Sequence, residues 1–115
     1  MKTVLMFLVM AAAPPEFGGK WTLTGEVAGN PIKAACTFEQ AEAKVSGVCK
    51  LEGRGDAKVA GEVTDKKLVF RHDVDHEGAQ YTLIYTAELT PENGLKGTIE
   101  VAGAGVGGDF SAKRE

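Results

Sequence analysis

Residues 34–51 read AACTFEQAEAKVSGVCKL, and the register of the predicted sheet can be worked out from them. Apolar and polar residues alternate with period two on both sides of Glu42-Ala43, which is typical of two antiparallel strands. Folding the chain about Glu42-Ala43 places Cys36 opposite Cys49 and keeps both apolar sets on one face. This pair falls at a non-hydrogen-bonded position, where Cα atoms approach to about 4.5 Å, within disulfide range. The alternation of apolar residues and the facing positions of the two cysteines thus select the same register. We therefore predict a Cys36–Cys49 disulfide.

The same alternation continues in both directions, from Lys20 to Arg114, with turn residues at regular intervals. The pattern gives eight strands joined by short connections, and closing the first strand on the last removes both sheet edges. We therefore predict an all-β domain over residues 19–115, an eight-stranded antiparallel up-and-down β-barrel. A two-sheet β-sandwich is the alternative.

The first residues differ from everything after them. Lys2 is followed by an apolar run that ends in alanines at residue 13. The run is too short to span a bilayer, but its length suits the core of a signal peptide. We interpret residues 1–11 as a signal peptide, with the cleavage site left open, and residues 12–18 as a flexible N-terminal segment. With an even cysteine count, this predicts a periplasmic or secreted protein.

Charge and surface patterning bear on the partners. The net charge is −3 and the signs are interleaved along the chain, so we expect no nucleic-acid partner. The outward strand positions are polar, whereas membrane barrels are apolar outside, so we expect no membrane embedding. Val69 and Ile84 are outward aliphatics that neighbour each other if Phe70 pairs with Leu83, and they are a candidate homodimer contact.

Two short features at the ends of the domain carry a family resemblance. Gly19-Lys20-Trp21 resembles the Gly-x-Trp start of the calycin barrels, the lipocalins, fatty-acid-binding proteins and avidins. Many of these carry a basic residue near the end of the last strand, where this chain has Arg114. The resemblance implies a short exported bacterial calycin-like barrel in which Gly19, Trp21 and Arg114 are structural. The indole would plug the floor and the guanidinium would stack on it.

That resemblance has limits. The chain has no room for a lipocalin helix, and avidin's biotin-binding residues do not match by position. Small exported bacterial inhibitors of metalloproteases are similar as well, and this resemblance implies that residues 12–18 would be the counterpart of the segment with which they reach the protease.

Catalytic and metal-binding constellations are weak. His72 and His76 share a strand face beside carboxylates, but no further His or free Cys completes a metal sphere, so we predict no metal and no cofactor. Ser46 and Ser111 are the only serines, and neither has the sequence context of a nucleophile elbow. We therefore predict that the protein is not an enzyme.

Inward aromatic side chains are the remaining candidate site. In a carrier they would line a cavity, with tyrosine hydroxyls fixing the ligand's orientation. The leading hypothesis is binding of a small apolar or amphipathic ligand inside the barrel. The alternatives are a protein-binding module such as a protease inhibitor, and a purely structural barrel with a filled core. The candidate ligand-binding residues are Trp21, Phe38, Phe70, Tyr81, Tyr85 and Phe110.

Overall fold

The computed structural model describes residues 15–115, so the predicted signal peptide lies outside the described residues. Within this part of the chain, no helix is long and apolar enough to cross a membrane. Residues 15–115 form eight strands, β1 Gly19–Val27, β2 Asn30–Ala41, β3 Lys44–Leu51, β4 Gly55–Thr64, β5 Lys67–His76, β6 Ala79–Leu89, β7 Gly94–Val101 and β8 Gly107–Arg114.

The strands form a closed barrel in sequence order, each antiparallel to its neighbours, with β1 paired to β8. This confirms the predicted up-and-down barrel and excludes the sandwich. Tight hairpins such as Ala28-Gly29 and Glu77-Gly78 keep φ positive at both turn residues. Turns of that kind match the right-handed twist of the strands they join, which lets the sheet curl and close.

The β2–β3 hairpin has the register that the cysteines predict. Cys36 pairs with Cys49 and Phe38 with Gly47, and the two sulfurs are bonded. The Cα atoms of the cysteines lie 4.0 Å apart. The two cysteines are 13 residues apart in the sequence. By the chain-entropy model, a disulfide that closes a loop of about this size stabilises the fold by about 3 kcal/mol.

The β5–β6 register corrects one expectation. Phe70 pairs with Tyr85, not with Leu83, because the two-residue turn at Glu77-Gly78 sets His76 opposite Ala79. Val69 therefore pairs with Thr86, and Ile84 pairs with Arg71. The prediction that Val69 and Ile84 pair directly is therefore wrong, and the homodimer contact that rested on it stays a prediction.

The two ends of the barrel differ. The turns that follow β1, β3, β5 and β7 lie at one end, called here the open end. The other end, called the closed end, holds the start of β1, the end of β8 and the turns after β2, β4 and β6. Between them, the inward side chains form one apolar core.

Candidate functional site

The closed end is sealed by Phe17, Trp21 and Arg114. Phe17 and Trp21 are almost completely buried, and the Trp21 indole nitrogen donates a hydrogen bond to the Phe17 carbonyl oxygen at 2.9 Å. The Arg114 guanidinium carbon lies 4.1 Å from the centre of the indole ring. A cation over an aromatic face is attractive, and here it joins the first strand to the last.

Residues 15–18 form a strap beneath this floor. The Phe17 amide donates to Gln40 Oε1 at 2.7 Å, and Gln40 Nε2 donates to the Pro15 carbonyl at 2.9 Å. Arg114 donates to the carbonyl oxygens of Gly18 and Glu16. Of the segment 12–18 that was expected to be flexible, the four described residues are thus in contact with the barrel.

An aromatic cluster fills the middle of the barrel. Phe70 stacks on Tyr85 with ring centres 4.4 Å apart and planes 7° apart. Phe38 and Phe110 meet Phe70 edge-on, at 5.1 and 6.2 Å between ring centres. These four rings are buried, and the unfilled space of the interior lies toward the open end.

A cavity of about 690 Å³ occupies the open end. Ligand pockets commonly fall between about 300 and 1,000 Å³. The turn residues Ala28, Glu52, Arg54 and Ala104 line its mouth, so it opens between the turns. Its walls are largely apolar and include Val27, Ile32, Leu51, Val74, Leu83 and Val101.

The base of the cavity carries a polar pair, His72 and Tyr85. They are the deepest lining residues on β5 and β6, and the His72 Nε2 and Tyr85 hydroxyl oxygen lie 2.8 Å apart. The other imidazole nitrogen, Nδ1, is 3.2 Å from the Asp73 carbonyl oxygen, which can only accept. His72 Nδ1 therefore carries a hydrogen.

Burial sets the protonation of this pair. It lowers the pKa of His72, and this effect outweighs the Asp73 carbonyl and carboxylate, which act in the opposite direction. Burial raises the pKa of Tyr85 well above its ordinary value. At neutral pH both groups are uncharged, so Tyr85 O–H donates to His72 Nε2.

The rim adds charge above the apolar walls. Arg54 donates to the Asp75 carbonyl at 2.6 Å, and its second terminal nitrogen lies 3.3 Å from His76 Nδ1. Lys33 and Glu52 also line the mouth. The cavity is thus apolar along its walls and polar at both its base and its rim.

The structure divides the six predicted ligand-binding residues. Tyr81 and Tyr85 line the cavity, at its mouth and base. Trp21 lies in the floor of the closed end, and the three phenylalanines belong to the aromatic cluster. Ligand contact for these four residues stays a prediction, and the cavity walls do not include them.

Sequence reasoning did not place two residues in the interior, His72, which it considered only as a candidate metal ligand, and Phe17. His72 is inward and 4 % exposed, in phase with Leu68 and Phe70, so strand parity was the signal that places it inside. Phe17 precedes the first strand, so the alternation of strand residues does not predict whether it is buried.

His72 and His76, the candidate metal ligands, both line the cavity. Across residues 15–115, however, no group of three or more His, Cys, Asp or Glu side chains is arranged to hold a metal ion. Comparison with known proteins gives no family: no protein-family model and no curated protein sequence matches this chain.

Proposed function

We propose that this protein is an exported, non-catalytic, calycin-like barrel that binds one small amphipathic molecule at its open end. The observation that carries the proposal is the cavity of about 690 Å³ between the turns of the open end. A barrel with a filled core would lack such a space. Eight strands are enough to enclose one small ligand.

The calycin-like assignment is supported by the closed end. Trp21 lies near the start of β1 and Arg114 ends β8. The two residues pair where β1 meets β8, with the guanidinium over the indole. Export is supported by the Cys36–Cys49 disulfide, because such bonds persist mainly in oxidising compartments.

The amphipathic character of the ligand follows from the lining. The aliphatic walls favour an apolar body, since burying apolar surface contributes about 25 cal/mol per Å². The His72–Tyr85 pair at the base and the charged side chains at the rim favour a polar group at an end of that body.

The test is a titration with N-phenylnaphthylamine, a dye whose fluorescence rises in apolar surroundings. We expect saturable binding of one dye per chain. Val74→Trp should weaken binding by about tenfold or more, because an indole at this half-buried lining position would occupy the cavity.

Val48→Trp is the matched control, since Val48 is exposed on the outer face of β3. It should leave the dye affinity unchanged. Absence of saturable binding, or equal loss in the two variants, would contradict the proposal and favour a protein-binding module or a structural barrel.

A further inference from the structure

The hydrogen-bond directions at the base of the cavity determine which polar group the ligand presents there. The Asp73 carbonyl fixes a hydrogen on His72 Nδ1, so the neutral ring has only an acceptor at Nε2. That acceptor receives the Tyr85 hydroxyl hydrogen at 2.8 Å. The Tyr85 oxygen then has free lone pairs but no free hydrogen.

The Tyr85 ring has little freedom to change this arrangement. Phe70 stacks on one face at 4.4 Å, and Phe110 meets it edge-on at 5.3 Å. Hydroxyl rotation toward a ligand acceptor would leave His72 Nε2 buried without a partner, and such a group costs about 1–3 kcal/mol. The base therefore offers the ligand acceptors only.

We infer that the cavity selects neutral ligands that donate a hydrogen bond from their buried end, such as an alcohol, a phenol or an N–H heterocycle, over ethers and carboxylates. This inference rests on the proposed function and specifies its ligand class. The donated hydrogen goes to the Tyr85 hydroxyl oxygen, which continues the chain through His72 to the Asp73 carbonyl. A carboxylate in the same place would lack a donor and lose its hydration.

Two isomers test the selection without a change of size. Naphthylmethanol carries a hydroxyl, and methoxynaphthalene has the same atoms arranged as an ether. At pH 8, where His72 is neutral, we expect calorimetry to show naphthylmethanol binding about five- to tenfold more tightly, the factor that corresponds to one net hydrogen bond. Naphthoate should bind more weakly than naphthylmethanol by at least the same factor.

His72→Leu tests whether the hydrogen bond from Tyr85 to His72 causes the preference for the alcohol. It removes the acceptor that holds the Tyr85 hydroxyl hydrogen, so Tyr85 becomes free to donate to the ether oxygen. The alcohol-to-ether ratio should fall below about twofold. Thr86→Val removes a hydroxyl next to Tyr85 but on the outer face of β6, and it should keep the wild-type ratio.

The outcomes separate the two proposals. Ether or naphthoate binding as tight as that of the alcohol to the wild-type protein would overturn the donor selection and leave the carrier function standing. Binding of the dye but not of naphthylmethanol would also overturn the donor selection and leave the carrier function standing. Failure of all these probes to bind would overturn the carrier function itself. If His72→Leu does not fold, the wild-type ratio of the two isomers decides alone.

Discussion

At the scale of single residues, His72 is unusual because its imidazole is buried among mostly apolar inward side chains. It is 4 % exposed and makes one hydrogen bond to a hydroxyl and one to a backbone carbonyl. Both bonds suit the neutral ring. A second proton would place a charge beside the aromatic cluster, so the folded state resists protonation.

This resistance predicts how stability depends on pH. Above about pH 6.5 the imidazole is neutral in both the folded and unfolded chains and adds no pH dependence. As the pH falls below that value, the unfolded chain binds the proton first, because the folded-state pKa is lowered. The free energy of unfolding should therefore decrease from about pH 6.5 downward and level off below the folded-state pKa.

Urea unfolding at pH 7.5 and at pH 5 measures the effect. His72→Leu should reduce the loss of stability between the two pH values, whereas His76→Gln, at the exposed end of β5, should retain it. An equal pH dependence in wild-type and His72→Leu proteins would show that His72 is not the group responsible.

Individual residues also differ in how well the sequence predicts their place in the site. The alternation of residues along a strand assigns a side chain to the inside or the outside, and it correctly placed five of the six predicted aromatics in the interior. The exception is Tyr81, which is exposed at the mouth of the cavity. The alternation does not show which inward residues line the cavity, so it did not separate Tyr85, which lines it, from Phe70, which stacks on Tyr85 but does not. His72 follows the same alternation, but beside His76 and the neighbouring carboxylates it was considered only as a candidate metal ligand.

At the scale of elements, hairpin registers were predictable to different degrees. Cys36 and Cys49 fix β2 against β3 independently of the turn. In β5–β6 the apolar pattern is unchanged by a shift of two residues, since the same faces stay inside. Only the Glu77-Gly78 turn distinguishes Phe70–Tyr85 from Phe70–Leu83 pairing.

Gly47 shows how closely two strands approach within one hairpin. A Cβ atom there would collide with the Thr37 carbonyl oxygen and would lie 3.1 Å from the Phe38 Cα. Backbone atoms do not move aside as a flexible side chain does. We expect Gly47→Ala to lower the free energy of unfolding by about 2–3 kcal/mol.

Chemical denaturation of Gly47→Ala and of Ser46→Ala gives the comparison. Ser46 is the exposed neighbour on the same strand, so its replacement should change stability by less than about 0.5 kcal/mol. Similar small effects in both variants would mean that the strands separate easily at this point.

At the scale of the whole molecule, the barrel has three layers with separate tasks. The floor of Phe17, Trp21 and Arg114 joins the first strand to the last. The aromatic cluster fills the middle, and the cavity occupies the open end. The sequence indicated the floor through Trp21 and Arg114, but it did not reveal that Phe17 completes it.

The layered arrangement predicts that stability and binding can be changed independently. Phe17→Ala removes a fully buried ring, and we expect the free energy of unfolding to fall by about 3 kcal/mol. Since Trp21 is the only tryptophan and packs against Phe17, its emission should shift to longer wavelength as water reaches the floor. The dye affinity at the open end should not change, because Phe17 does not line the cavity.

Tyr81→Ala is the stability control, because it truncates an exposed aromatic side chain, and it should lower the free energy of unfolding by less than about 1 kcal/mol. A weakened dye affinity in folded Phe17→Ala protein would show that the floor and the cavity are coupled through the aromatic cluster.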